Sequence, residues 1–384
     1  MRTIKRAAGA VLALLLVSGM IPVSAVKAFA APTYNLAGEF HSTDLIEGAN
    51  YVLTSDATII LDHTDVFEVK SIKGKEYNLT LDGAGNTTNR LKVTDSIEAA
   101  NLAFKNKAGL EVSKKITVSS DVRVDGGRLS MPSTAKGIYC DYFRGRYWST
   151  IYVGGGGVHV NGNIVFWEGT KAEIYYGLTS ETGDMEIHDS DVRAYTKSGN
   201  AVSVKDDIKI TDSQVIFESK KGTALRCTEG DITLDSSNML ISDSENGIVL
   251  DKGNLTIANS SVLNCRADDT CIEAKGSKGV VTFDTEGNAC SLQAEGGSGS
   301  TCIDCKTLYL TAGNIFFMTD GTAVKASSGM HLSAGMQISQ EGVYPLINGF
   351  SKKGTVHVIQ SAVTGIVDTV NEYGNSELYY GQYI

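Results

Sequence analysis

Helical periodicity is missing from the repetitive part of this chain, which excludes ankyrin-like and tetratricopeptide-like arrays. No G-x-S-x-G elbow and no H-E-x-x-H pair occurs, and the six histidines are scattered. Neither a hydrolase nucleophile elbow nor a zinc-protease helix is therefore encoded. Gly154–Gly157 is a run of four glycines, but no Lys-Ser/Thr follows it, so it is not a nucleotide loop. Basic residues are in deficit: 34 Lys and Arg stand against 44 Asp and Glu, a net charge of −10. That balance disfavours nucleic acid or an anionic membrane as partner. Only four prolines accompany 41 glycines, which suits a chain of short corners. Beyond the N-terminus no apolar run reaches the ~20 residues that a membrane span needs.

What is present is a repeat. Apolar-x-apolar pairs recur at Met185/Ile187, Ile208/Ile210, Ile232/Leu234, Leu255/Ile257, Val281/Phe283, Leu308/Leu310 and Met330/Leu332, with first members 23, 24, 23, 26, 27 and 22 residues apart. Period-two alternation is a strand signal. A fixed longer period marks units that bury their apolar face against their neighbours. Each unit holds two further short strands. A polar corner such as Asp189-Ser190-Asp191, Asp212-Ser213-Gln214 or Asn259-Ser260-Ser261 follows the first pair. Then come Val192/Ala194, Val215/Phe217, Met239/Ile241, Val262/Asn264 and Ile315/Phe317. After a second corner come Val202/Val204, Leu225/Cys227, Ile248/Leu250 and Ile272/Ala274. Three strands and three corners in about 23 residues describe one rung of an all-β parallel β-helix. Rungs stack roughly 4.8 Å apart, so the seven clearest span on the order of 30 Å.

Residues 1–30 read as a secretory signal peptide: Arg2, Lys5 and Arg6 precede an apolar stretch, and Ala28-Phe29-Ala30 offers a cleavage site. No cysteine lies there and no C-terminal wall-sorting signal is visible, so release, or non-covalent retention at a cell surface, is expected. Residues 31–60 read as an N-terminal cap and 361–384 as a C-terminal cap, with Tyr373, Tyr379, Tyr380 and Tyr383 sealing the last rung. The β-helix itself is placed at 61–360, with looser rungs at first. Residues 137–176 hold ten of the 29 aromatics and both tryptophans, and read as an insertion breaking the solenoid.

The seven cysteines leave at least one unpaired. Cys271 and Cys302 share a column on adjacent rungs, close enough for a bridge; burial as small hydrophobes is the other reading. Asp184, Asp207 and Asp231 each precede the first strand of successive rungs. Carboxylates stacked roughly 5 Å apart repel unless solvated or bridged by a cation, for which calcium is suited. Asp284, Glu286, Asn288 and Glu295 match an EF-hand by count alone, without its glycine or flanking helices. Outward positions of the second strands read Arg193, Ile216, Leu240, Leu263 and Phe316, an apolar row that is either covered by a loop or open to a partner.

Units such as Gly230-Asp231-Ile232-Thr233-Leu234 and Ala267-Asp268-Asp269-Thr270-Cys271-Ile272-Glu273-Ala274 resemble the secreted carbohydrate-binding β-helix proteins of clostridia and relatives. The likeness covers about residues 183–328, and Thr270-Cys271 stands where that family has glycine after its paired aspartates. It implies a right-handed, pectate-lyase-like helix from a Gram-positive bacterium, which binds plant or bacterial cell-wall polysaccharide without established catalysis and with calcium as the metal that the likeness suggests. Sugar rings stack on aromatic faces, so Tyr147, Trp148, Trp167, Tyr175, Tyr176 and Tyr309 are the candidate contacts. A calcium-dependent polysaccharide lyase is the alternative, with Lys209 as the best-placed base beside Asp207 and Asp231. A structural or adhesive spacer is the third reading.

Overall fold

The structure is a computed structural model. It describes residues 31–62, 66–86, 88–319 and 321–332, and the strands Gln337–Glu341, Thr355–Val358, Ala362–Val363, Val367–Val370 and Ser376–Tyr379. The expected signal peptide, and Tyr373, Tyr380 and Tyr383 of the expected C-terminal cap, lie outside the described residues. Parallel strands coil into a β-solenoid of about 12 turns with rungs of ~23 residues. Among the described residues no helix is long and apolar enough to cross a membrane.

Three sheets form because each rung offers three alternating stretches, and each pairs with its equivalent one rung away. Face one carries Ile138↔Val158↔Leu178↔Val202↔Leu225. Face two carries Met185↔Ile208↔Ile232↔Leu255↔Val281↔Leu308. Face three carries Val192↔Val215↔Met239↔Leu263. These side chains point inward and are buried, as are the largest, Phe104, Phe143, Phe166, Phe217, Phe283 and Phe317. From Asn238 onward single strands run round the corners, as in Asn238–Leu250 and Val262–Ala274.

The segment expected to cap the solenoid at its N-terminus and the one expected to interrupt it both belong to it, whereas Val367–Val370 and Ser376–Tyr379, in the expected C-terminal cap, form a separate antiparallel pair. Thr33–His41 pairs in parallel with Asn50–Ile60, so the expected N-terminal cap is the first strand layer. The expected insertion at 137–176 consists of regular rungs: Ile138–Cys140, Tyr142–Arg146, Thr150–Val153, Val158–Val160, Ile164–Phe166 and Lys171–Tyr175 all pair with strands above and below. Its aromatics stand mainly on outward and corner positions, where composition changes without touching the repeat.

One expected orientation is inverted. Leu263 is fully buried and Asn264 is exposed. The corner before them is a residue longer than its equivalents. In earlier rungs the left-handed residue, Asp189 (φ 46°), Asp212 (φ 50°) or Ser236 (φ 50°), is followed directly by a buried serine. After Asn259 (φ 53°) the buried serine is Ser261, two positions on. One added residue turns every following side chain to the other face.

Two polar columns hold the corners in register. Backbone N–H groups of Ser190, Ser213 and Ser237 donate to the Oγ of Ser213, Ser237 and Ser261 at 3.1, 3.0 and 3.2 Å. All four serines are buried. A chain of Asp and Asn residues does the same at the entry to face two, as described below. The seven cysteines are all buried and unpaired. Burial pushes the thiols of Cys227 and Cys305 up to about 12. Cys271 and Cys302 do share a column, beside the Ile272↔Ile303 pair. Their thiols donate to the carbonyls of Gln293 and Leu292 at 3.1 and 3.3 Å.

Candidate functional site

Face three brings aromatics together, with Tyr152 exposed and Tyr175 and Tyr195 half-buried. Tyr152 pairs in register with Glu173, and Tyr175 with Tyr195, so three outward tyrosines rise across three successive rungs. The Tyr152 and Tyr175 rings meet edge to face at 6.1 Å, and Tyr175 and Tyr195 stack at 5.1 Å with 29° between planes. Stacked rings follow from the fold: outward residues in one column are held about one rung spacing apart. Polar groups brace the ladder. The Tyr175 hydroxyl donates to Glu173 Oε1 at 2.7 Å. Arg193 is held by Asp191 through bonds of 3.2 and 3.3 Å.

The hydrogen bond to Glu173, with burial and the nearby negative charge behind it, pushes the Tyr175 phenol up from 10.0 to about 12. A raised phenol pKa means that the folded state holds the proton. Its stabilising effect is therefore complete below pH 10 and is lost as pH climbs from about 10 to about 12. Glu173→Gln is expected to bring this titration back down toward the ordinary value. The Tyr175 ring resonances, followed by NMR from pH 8 to 12.5, provide the readout. An unchanged titration midpoint would show that Glu173 is not the cause.

The other aromatic candidates fall into separate places. Tyr147 and Trp148 both occupy left-handed backbone (φ 56° and 57°) at the corner between faces two and three, and are 50% and 77% exposed. The Trp148 indole lies over Gly169, whose missing Cβ would stand 2.3 Å from its Cδ1. Trp167, on the next rung, is half-buried beneath the Arg146 guanidinium at 4.3 Å. Tyr176 (φ 72°) is exposed at the opposite end of face three. Tyr309 is remote: it stacks on His331 at 4.4 Å on face two. The register from Ile164 to Leu308 puts it six rungs from Trp167, roughly 29 Å. Of the six expected aromatics, then, only Tyr175 lies in the ladder. Tyr152 and Tyr195 are its other members, neither of them expected from the sequence; aligning Ile174 with Ala194 would have brought Tyr195 beside Tyr175.

The acidic column has a structural task. Asp184, Asp207 and Asp231 do stack, but each carboxylate accepts the backbone N–H of the next rung: Asp207 N–H to Asp184 Oδ1 at 2.9 Å, Asp231 N–H to Asp207 Oδ1 at 2.8 Å, and Asn254 N–H to Asp231 Oδ1 at 2.9 Å. Asn163 begins this run by accepting from Asp184 N–H at 3.1 Å. Asp56, Asn78 and Asn101 form an equivalent run lower in the solenoid. The cation that Asp231 meets is Lys278, whose Nζ lies 3.1 Å away. Partial burial works against ionisation of Asp231, but the Asn254 N–H and the Lys278 ammonium outweigh it and hold the carboxyl below its ordinary range. Lys209 stands exposed on face two between Glu186 and Thr233. Among the described residues no group of three or more His, Cys, Asp or Glu is arranged to hold a metal ion. The Asp284–Asn288 segment lies within the strand Val280–Ala294, not in a loop.

The apolar row on face three is partly real. Leu240 is 43% exposed and Ile216 and Phe316 are half-buried, whereas Leu263 faces the core. No protein-family model, no curated protein and no solved structure matches the chain.

Proposed function

We propose that this protein is a secreted or cell-surface β-solenoid that binds polysaccharide along face three, without catalysis. The observation that carries the reading is the outward ladder of Tyr152, Tyr175 and Tyr195, braced by Glu173 and Arg193. Tyrosine faces stack on the C–H faces of sugar rings while hydroxyl and charged neighbours take up the sugar hydroxyls. Three successive rungs each contribute one ring along the solenoid axis, which suits a polymer better than a small molecule. The resemblance to the carbohydrate-binding β-helix proteins of clostridia supports the same class of ligand. Tyr147 and Trp148 stand exposed at the adjoining corner and extend the aromatic surface.

The test is retention of the mature protein on insoluble cellulose, pectate and peptidoglycan, with calcium and with chelator. A Tyr152→Ala/Tyr175→Ala/Tyr195→Ala variant is expected to lose about tenfold or more in affinity, since each aromatic contact contributes on the order of 1 kcal/mol. Undiminished retention of the variant, or no retention of the parent protein on any glycan, would refute the reading. Release of unsaturated products from pectate would move the assignment to a lyase.

A further inference from the structure

Two rungs below Glu173 and one below Tyr152, face three opens into a cavity of about 250 Å3 lined by Thr88, Asn89, Arg90, Glu111, Arg128 and Ser130. Its origin is a missing side chain. Arg90, Gly109 and Arg128 occupy one outward column on three successive rungs. Glycine in the middle leaves a gap between the two arginines; a Cβ there would stand 2.8 Å from Arg90 Cβ and 2.8 Å from the Asn89 carbonyl oxygen. Other columns of this face form ion pairs between rungs, as Lys92 does with Glu68 at 3.0 Å. Arg90 and Arg128 form none among the described residues.

The second observation is Asn89. It is 1% exposed, its amide nitrogen donates to the Leu61 carbonyl, and its Oδ1 is buried without a hydrogen-bond partner. A buried acceptor left unpaired is unfavourable and calls for a donor. A simple anion brings none. Two unpaired guanidiniums call for a negative group that can receive their forked N–H donors. Glu111, in the column that joins Lys92 to Ser130, adds a second acceptor to the lining and repels a bare anion. The ligand that answers all four groups has hydroxyl donors and one negative charge on the same small frame. The volume lies below the roughly 300–1,000 Å3 of pockets for drug-sized ligands, which fits a single ring.

We propose that this cavity is a subsite for one sugar unit bearing a carboxylate or phosphate. Arg90 and Arg128 hold the negative group, and a ring hydroxyl donates to Asn89. This rests on the glycan reading of face three. Ser130 is paired with Tyr152, so a chain entering the cavity continues directly onto the tyrosine ladder.

The test is calorimetric titration of the full mature chain with four probes: glucuronate, glucose 6-phosphate, glucose and inorganic phosphate. One or both of the acidic sugars is expected to bind at least tenfold more tightly than glucose and than phosphate, and the better of the two identifies the source of the charge. Arg128→Ala is expected to remove at least tenfold of that affinity, and Arg128→Lys to restore part of it. Arg128 is exposed, so its variants should keep the parent's unfolding midpoint. Glucose binding as tightly as the acidic sugars, phosphate binding as tightly (an adventitious ion only), or an Arg128→Ala variant with unchanged affinity would each overturn the proposal. If none of the probes binds but the polysaccharide is still retained through the tyrosines, the subsite falls and the glycan reading stands. If retention is absent as well, both fall.

Discussion

Phe217→Ala is expected to destabilise the solenoid by about 3–5 kcal/mol, the usual cost of removing a fully enclosed phenylalanine. Phe217 has no exposed surface, and its column neighbours on face three are Ala194 and Ile241. The ring therefore occupies space that Ala194 leaves open. The backbone cannot close over the void, because Ser213 to one side and Ser219 to the other are tied to adjacent rungs by their own hydrogen bonds. The measurement is the urea midpoint with its slope, beside a Leu240→Ser control. Leu240 points outward from the next rung, and its replacement should change stability by less than about 0.5 kcal/mol. A loss under about 1 kcal/mol for Phe217→Ala would show that the interior is loosely packed.

The second large effect is expected from Gly156→Val, at about 3–5 kcal/mol from strain and overpacking combined. Gly156 has φ +71°, and a Cβ there would lie 2.1 Å from the Lys136 carbonyl carbon. The Lys136 carbonyl oxygen and the Gly137 nitrogen are the next nearest atoms, and since all three are backbone none can swing aside. Gly137 (φ +89°) and Gly157 (φ +71°) have comparable contacts, with hypothetical Cβ atoms 2.4 and 2.6 Å from carbonyl oxygens of the adjoining rung. This corner is the tightest stacking of main chain on main chain in the aromatic-rich region. It explains the glycine run as a packing device. The variant should also shift the stack of Tyr139 on His159 (4.8 Å), because His159 Nε2 bonds the Gly156 carbonyl at 2.9 Å. A variant with the parent's midpoint would mean that the corner turns without hindrance.

The repeat was legible in the sequence because its inward residues answer to one requirement, that they fill the same enclosed space on every rung. Met185, Ile208, Ile232 and Leu255 could be aligned by eye for that reason. Outward positions answer to no such requirement. Tyr142, Tyr147 and Trp148 made residues 137–176 look foreign, although Ile138, Val158 and Leu178 continue the rungs beneath them at spacings of 20 residues. The Leu263 inversion escaped because a corner can gain a residue without changing its polar character. The acidic column was visible, but its partners were not: carboxylate spacing is readable along a chain, whereas the N–H that each oxygen meets belongs to the rung above. Tyr195 was missed for a related reason. Taken alone it is one more half-buried tyrosine, and it becomes part of a surface only when its strand is laid beside that of Tyr175.

The strict alternation of inward and outward side chains has a consequence for how such a chain can change over generations. Tyr152, Glu173, Arg193, Ile216, Leu240 and Asn264 form a single outward column whose members are aromatic, acidic, basic, aliphatic and amide, above an interior that hardly varies in character. Substitutions in that column leave the enclosed residues untouched, so selection can act on surface chemistry without first clearing a threshold of foldability. Duplicating or deleting a whole turn lengthens or shortens the displayed strip by one step. Diversity of surface and constancy of scaffold are thereby inherited through different residues of the same strand.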